Sequence, residues 1–119
     1  MTATGLTRAE VETARQQIAT EQLPRWTGAV LDVSDGHAVD QLAQSLEQLD
    51  VLINCAGIIL RDAQEFDPLK FVQVVDVNLN GTMRLCSACR PLLAQAQGCI
   101  VNTASMLSYF GSGFVPAYS

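Results

Sequence analysis

An α/β fold built on an open parallel sheet is predicted for this 119-residue chain by three observations. Short apolar runs alternate with stretches of helical periodicity, the pattern left by right-handed βαβ crossovers. The stretch Asp50-Val-Leu-Ile-Asn-Cys-Ala-Gly57 joins a continuous apolar run to a turn of small residues. That is how a strand buried on both faces reaches the carboxyl edge of a sheet, where ligands bind. Two further runs, Ala29 to Val33 and Cys99 to Thr103, have the same apolar-then-polar character.

The elements follow in order. Thr2-Ala3-Thr4-Gly5 reads as the last residues of a strand, and Thr7 with Glu10 makes a capping box for a helix from Arg8 to about Thr20. Val11, Ala14 and Ile18 give that helix its apolar stripe. Pro24 and Gly28 bracket a connection to the strand Ala29–Val33. Ser34 is the expected cap of a second helix, Asp35 to Gln48, with Ala38, Val39, Leu42 and Leu46 inward. After the central strand comes a charge-rich loop, Ile58 to Asp67. Pro68 then opens a long helix to about Ala94, whose apolar face runs through Val74, Leu85 and Cys89. Gly81 in the middle of this helix costs about 1 kcal/mol against alanine, so close packing against a neighbour is expected there. Gly98 ends the helix region, Cys99–Thr103 is the last strand, and Ala104 to Ser119 reads as an active-site loop.

Composition excludes several classes. The net charge is -5, and six arginines and the single Lys70 are scattered, so there is no basic patch for nucleic acid. No apolar run approaches the ~18 residues of a membrane span and the first twenty residues lack a signal-peptide core, so a cytoplasmic protein is expected. Cys55, Cys86, Cys89 and Cys99 do not suggest a disulfide scaffold. Cys86-x-x-Cys89 lies deep in an apolar helix face, far from the helix N-terminus a redox pair needs and without four zinc ligands, so it reads as core and no metal is expected. His37 reads as a surface residue and Trp26 as a cover for the following strand.

Four stretches, Leu31-Asp32-Val33, Asn54-Cys55-Ala56-Gly57, Val77-Asn78-Leu79-Asn80-Gly81 and Ile100 to Ser105 with Tyr118, together resemble the short-chain dehydrogenase/reductase family. Ser105 and Tyr118 are thirteen positions apart, as in the family's serine and tyrosine pair. The resemblance implies a Rossmann-like, doubly wound parallel sheet, NAD or NADP as cofactor, and hydride transfer between nicotinamide and an alcohol or carbonyl substrate. It implies that Asp32 and Val33 meet the adenine, and that Asn54, Ala56 and Gly57 line the ribose side. Cys55 stands where the family usually has a second asparagine. Asn78 would hold the long helix locally open, Ser105 would bind the substrate oxygen and Tyr118 would exchange its proton. A phenol of pKa ~10 needs a nearby cation for that role, and the family's lysine lies four residues after the tyrosine, beyond Ser119.

The family's glycine-rich turn and first strand, and everything after its fifth strand, have no counterpart in the chain. Residues 1–119 therefore read as a partial NAD(P)-binding domain, an internal fragment expected to be inactive alone. In the family the full-length form assembles as a homo-oligomer, and the helix 69–94 is the expected interface. At the tip of the first strand Gly5, Leu6, Thr7 and Arg8 show no carboxylate, which favours NADP slightly. The alternative is a non-catalytic remnant or a helix-mediated interaction module.

Overall fold

The computed structural model describes residues 1–119. Four short parallel strands, β1 (Thr2–Gly5), β2 (Thr27–Val30), β3 (Val51–Asn54) and β4 (Cys99–Asn102), form two separate pairs, β1 with β2 and β3 with β4. Thr2 lies opposite Thr27 and Gly5 opposite Val30; Val51 lies opposite Cys99 and Asn54 opposite Asn102. The helices are α1 (Arg8–Gln16), α2 (Gly36–Gln44), α3 (Pro68–Val75), α4 (Thr82–Ala96) and the single turn α5 (Leu107–Phe110). This is the expected alternating α/β architecture, with a sheet split in two. No helix is long and apolar enough to cross a membrane.

The Thr7 and Glu10 capping box is present, with Thr7 Oγ1 accepting from the Glu10 amide at 3.2 Å. Several boundaries differ from the sequence reading. The first helix stops at Gln16 because its last turn tightens, Gln17 bonding Ala14 O and Ile18 bonding Arg15 O, and a 3₁₀ turn over Thr20–Arg25 follows. The second strand ends at Val30, one hydrogen bond before Asp32, since β1 turns away at Gly5 and offers no further partner. Asp35, not Ser34, caps α2: its carboxylate accepts the amides of His37 at 2.9 Å and Ala38 at 3.1 Å. The helix ends at Gln44, where the Ser45 hydroxyl takes the Leu42 carbonyl.

The central strand is not buried on both faces. Leu52 and Asn54 face α4, but Val51 is 47 % and Ile53 60 % exposed. The second face of β3 has no helix over it, and a two-stranded sheet cannot supply one. Only 11 of the 119 residues are buried, and Val30, Val51, Ile53, Ile100 and Val101 on the strands are each more than 40 % exposed.

The long helix is three pieces. Between α3 and α4, Asp76–Gly81 forms a π-helical turn. Such a turn inserts an extra residue and rotates the following face, so a stripe that reads as continuous in the sequence divides. Val74, Cys89 and Leu93 are buried, whereas Leu69, Val72, Leu79 and Met83 are more than 60 % exposed. The face through Val74, Leu85 and Cys89, expected to meet a partner subunit, is thus the core face. α4 is the spine of the molecule. It packs Leu85 and Ala88, with Val77 of the preceding turn, on Leu31, Val33 and Val39, and Cys89 and Leu93 on Ala43, Leu49 and Leu52, each buried Val or Leu contributing roughly 2 kcal/mol. Gly81 has the close neighbour its position called for. A Cβ there would lie 2.6 Å from Val33 Cγ2 and 2.9 Å from Val33 Cβ.

Candidate active site

The candidate residues collect past the carboxyl ends of β2, β3 and β4. After β2 the chain bends, and Asp32 Oδ1 accepts both the Ser34 amide at 2.9 Å and the Ser34 hydroxyl at 2.6 Å. Those bonds, the hydroxyl first, hold the Asp32 carboxyl below its ordinary value of 3.8. Its other oxygen makes no hydrogen bond and the side chain is exposed, so a donor from outside can reach it. Arg84 reaches down from α4 to the Val33 carbonyl at 3.3 Å while pairing with Asp76 at 2.7 Å. The Asp76 carboxyl is also held low, first by Asn80 and then by Arg84.

A pH consequence follows from Asp32. A carboxyl whose folded value is depressed stabilises the fold above its unfolded value, and that contribution is lost as pH falls through the folded value. Ser34→Ala removes the stronger bond and leaves the amide. The Asp32 titration, followed by carboxyl NMR, is expected to move up toward 3.8 without reaching it, and an unmoved titration would show that the hydroxyl does not set it.

At the end of β3, Asn54 is 6 % exposed and turned inward. Its Nδ2 donates to Asn102 Oδ1 at 2.8 Å across the strand pair and to Cys86 Sγ at 3.5 Å, while its Oδ1 is buried without a partner. Asn54 therefore ties β3, β4 and α4 together, and its side chain does not reach the ligand edge where the sequence placed it. Ala56 and Gly57 are exposed at that edge, and Thr103 donates to the Cys55 sulfur at 3.2 Å. Cys89 is buried in the core, and burial, with Cys86 next, pushes its thiol up. That is the opposite of what a redox or metal thiol needs.

Asn78 lies in the π-helical turn, so the long helix is locally open at this residue. Its side chain acts as a backbone substitute for the loop after β3, with Nδ2 donating to Ile58 O and the Ile58 amide donating to Oδ1, both at 2.8 Å. Gly57 lies beside it, where an added Cβ would be 3.5 Å from Oδ1. Ser105 begins the turn into α5, its hydroxyl accepting the Leu107 amide at 3.2 Å. Tyr118 is half-buried and its phenol oxygen has no hydrogen-bond partner within the chain. Asn78 and Gly57 thus meet at the start of one loop. No hydrogen bond joins Ser105 to Tyr118.

Three residues at this edge escaped the sequence reading. Asn102 was detectable, because pairing the two strand ends puts it opposite Asn54. Arg84 and Glu65 carried no signal. Glu65 belongs to the charge-rich loop, yet it is 1 % exposed and both its oxygens accept backbone amides. The turn that buries it uses two successive left-handed residues, Asp62 and Ala63, with φ of 57° and 60°, which cost roughly 1 kcal/mol each and persist only where surrounding bonds fix them. The tip of β1 also differs from expectation. The Glu10 carboxylate accepts the amides of Leu6 at 2.7 Å and Thr7 at 3.3 Å. A carboxylate is therefore present where the lean toward NADP assumed none.

Comparison with known proteins identifies the family. A family model described as short chain dehydrogenase matches residues 1–119. The 2-dehydro-3-deoxy-D-gluconate 5-dehydrogenase of Bacillus subtilis is 38 % identical over 109 residues, covering 87 % of this chain and 43 % of the relative. The protein of the same name from Dickeya dadantii is 35 % identical, covering 80 % of this chain and 40 % of its own length. The crystal structure of a short chain dehydrogenase from Mycobacterium smegmatis superposes with a TM-score of 0.85 at 28 % identity, over 98 % of this chain and 52 % of that one. The chain spans less than half the length of these curated relatives. With the two parallel strand pairs, the π-helical turn at Asn78 and a family match from end to end, the chain belongs to the short-chain dehydrogenase family of oxidoreductases.

Proposed function

We propose that the protein carrying this chain is a cytoplasmic NAD- or NADP-dependent oxidoreductase that moves hydride between nicotinamide and a secondary alcohol of a 2-dehydro-3-deoxy sugar acid. The observation that carries the reading is the mounting of Asn78 and of the Tyr118 backbone on the single loop Ile58–Asp67, next to Gly57 at the strand edge. The substrate class comes from the relatives named for such an acid, 38 % and 35 % identical to this chain.

The residues fit a dinucleotide in part. The free oxygen of Asp32 suits an adenine amine, and the bare backbone at Gly57 admits close approach, whereas Asn54 supports the edge from beneath. The nucleotide, when bound, supplies or takes the hydride. In this reading Tyr118 gives or takes the proton at the substrate oxygen, Ser105 donates a hydrogen bond to that oxygen, and Asn78 keeps the helix open beside them. In this reading residues 1–119 are part of the nucleotide-binding domain and are expected to be inactive by themselves.

The test is turnover by the full open reading frame containing residues 1–119, with 2-dehydro-3-deoxy-D-gluconate and each nucleotide in turn. Reduced nicotinamide should accumulate with at least one of them. A folded protein that binds neither nucleotide would overturn the proposal. A second reading, a non-catalytic helix-mediated interaction module, is favoured by the exposed apolar residues Leu69, Val72, Leu79 and Met83. It predicts self-association without nucleotide binding.

A further inference from the structure

We propose that Glu65 is the positioning residue for Tyr118, and that the loop Ile58–Asp67 holds the two ends of the site, Asn78 and Tyr118, at a fixed separation. This rests on the role given to Tyr118 above. Glu65 is among the most buried side chains of the molecule, at 1 % exposure, and forms no ion pair. Its Oε2 accepts the amides of Ala117 at 2.9 Å and Tyr118 at 3.1 Å, and its Oε1 accepts the amide of Leu60 at 3.0 Å.

Neither the Ala117 nor the Tyr118 amide has a backbone acceptor. The segment that carries the phenol is therefore not held by helix or strand at those two amides; it is held by one carboxylate contributed from more than 50 residues upstream. The neighbouring amide on Oε1 belongs to Leu60, two residues past the Ile58 that Asn78 clamps on both its N–H and its C=O. Two sets of hydrogen bonds, Asn78 on Ile58 and Glu65 on Leu60, Ala117 and Tyr118, are thus joined by the two residues of backbone between Ile58 and Leu60. Buried amides without a partner are costly, so the carboxylate and the segment specify each other.

Glutamine is a discriminating replacement. It keeps the size, but offers one acceptor oxygen and sets a donor against an amide at the other position. The misplacement falls on the backbone of Tyr118 and leaves the Asp32 end of the nucleotide site untouched, so the loss should appear in kcat more than in KM.

The experiment uses the full open reading frame, 2-dehydro-3-deoxy-D-gluconate and the nucleotide that supports turnover. In the wild-type protein the Ala117 and Tyr118 amides should be protected from hydrogen exchange; exchange as fast as in an unstructured peptide would overturn the proposal without any variant. In Glu65→Gln the one oxygen cannot serve both Leu60 and the Ala117–Tyr118 pair, so protection should fall at one side of that link or the other while amides in β3 and β4 stay protected, and kcat should fall about tenfold with the nucleotide KM within about twofold. Glu65→Asp, which retains both acceptors, should recover part of the kcat. A merely structural loss would instead scale activity with the folded fraction and treat the two variants alike, which counts against positioning. Wild-type kcat in Glu65→Gln, alongside an inactive Tyr118→Phe, overturns the proposal alone. Full turnover in Tyr118→Phe overturns the role of Tyr118 and this inference with it, and is told apart because the exchange data on Glu65 stay as they were.

Discussion

Tyr118→Phe in the full reading frame is expected to lower turnover by about a thousandfold while leaving folding and nucleotide affinity in place. The size follows from what a positioned proton donor contributes, about 10²–10⁴. The selectivity follows from the structure. The phenol oxygen makes no hydrogen bond within the chain and the ring is half-buried, so its removal orphans no partner and keeps the ring's packing. A change of this kind stays within about 0.5 kcal/mol in stability. The decisive comparison is kcat against the dissociation constant of the nucleotide. Loss of both would mean that the tyrosine shapes the fold. Turnover within a fewfold of wild type would remove it from the chemistry.

Gly98→Ala is expected to be the most disruptive single methyl in the chain. A Cβ at this position would collide with the Asp50 carbonyl oxygen and lie 2.9 Å from its carbon and 3.0 Å from Leu93 Cδ2. The oxygen it strikes is the acceptor for the Cys99 amide at 2.9 Å, the bond that starts the β3–β4 ladder. Backbone cannot rotate aside as a side chain can. Relief requires the α4–β4 turn to separate from β3, losing the ladder's first bond and some of Leu93's packing. Overpacking of about 1–3 kcal/mol and a lost bond of about 1 kcal/mol together approach 3–4 kcal/mol. Against a total stability of roughly 5–15 kcal/mol this is a large fraction. The urea midpoint should fall accordingly, and an unchanged midpoint would show that the turn has room the structure denies it.

What could be seen in advance was whatever a local pattern encodes. The capping box of Thr7 and Glu10, the parallel pairing, the crowded Gly81 and the core position of Cys89 all follow from residue type and spacing. The helix capped by Asp35 was off by one because Asp and Ser are nearly equal caps and the choice was made by Asp32, which takes the Ser34 hydroxyl for itself. The division of the long helix was not readable from its periodicity, and only the family resemblance, through Asn78, implied an opening there; the turn is accompanied by packing no local pattern encodes, Gly81 against Val33 and Arg84 on Asp76. Asn54 was assigned to the ligand edge by its place after a strand. Only the three-dimensional pairing with Asn102 shows that it faces the other way. Glu65 is the clearest case: two of its three partners are more than 50 positions away, and nothing within reach of a local reading distinguishes it from Asp62 or Asp67.

The split sheet has a mechanical consequence. Since β1 and β2 share no ladder with β3 and β4, no backbone hydrogen bond between strands fixes one pair against the other within residues 1–119. Side-chain packing does so instead, through Gly81 against Val33 and Arg84 on the Val33 carbonyl, so the distance between Asp32 and Gly57 is set by the shape of side chains and not by a ladder.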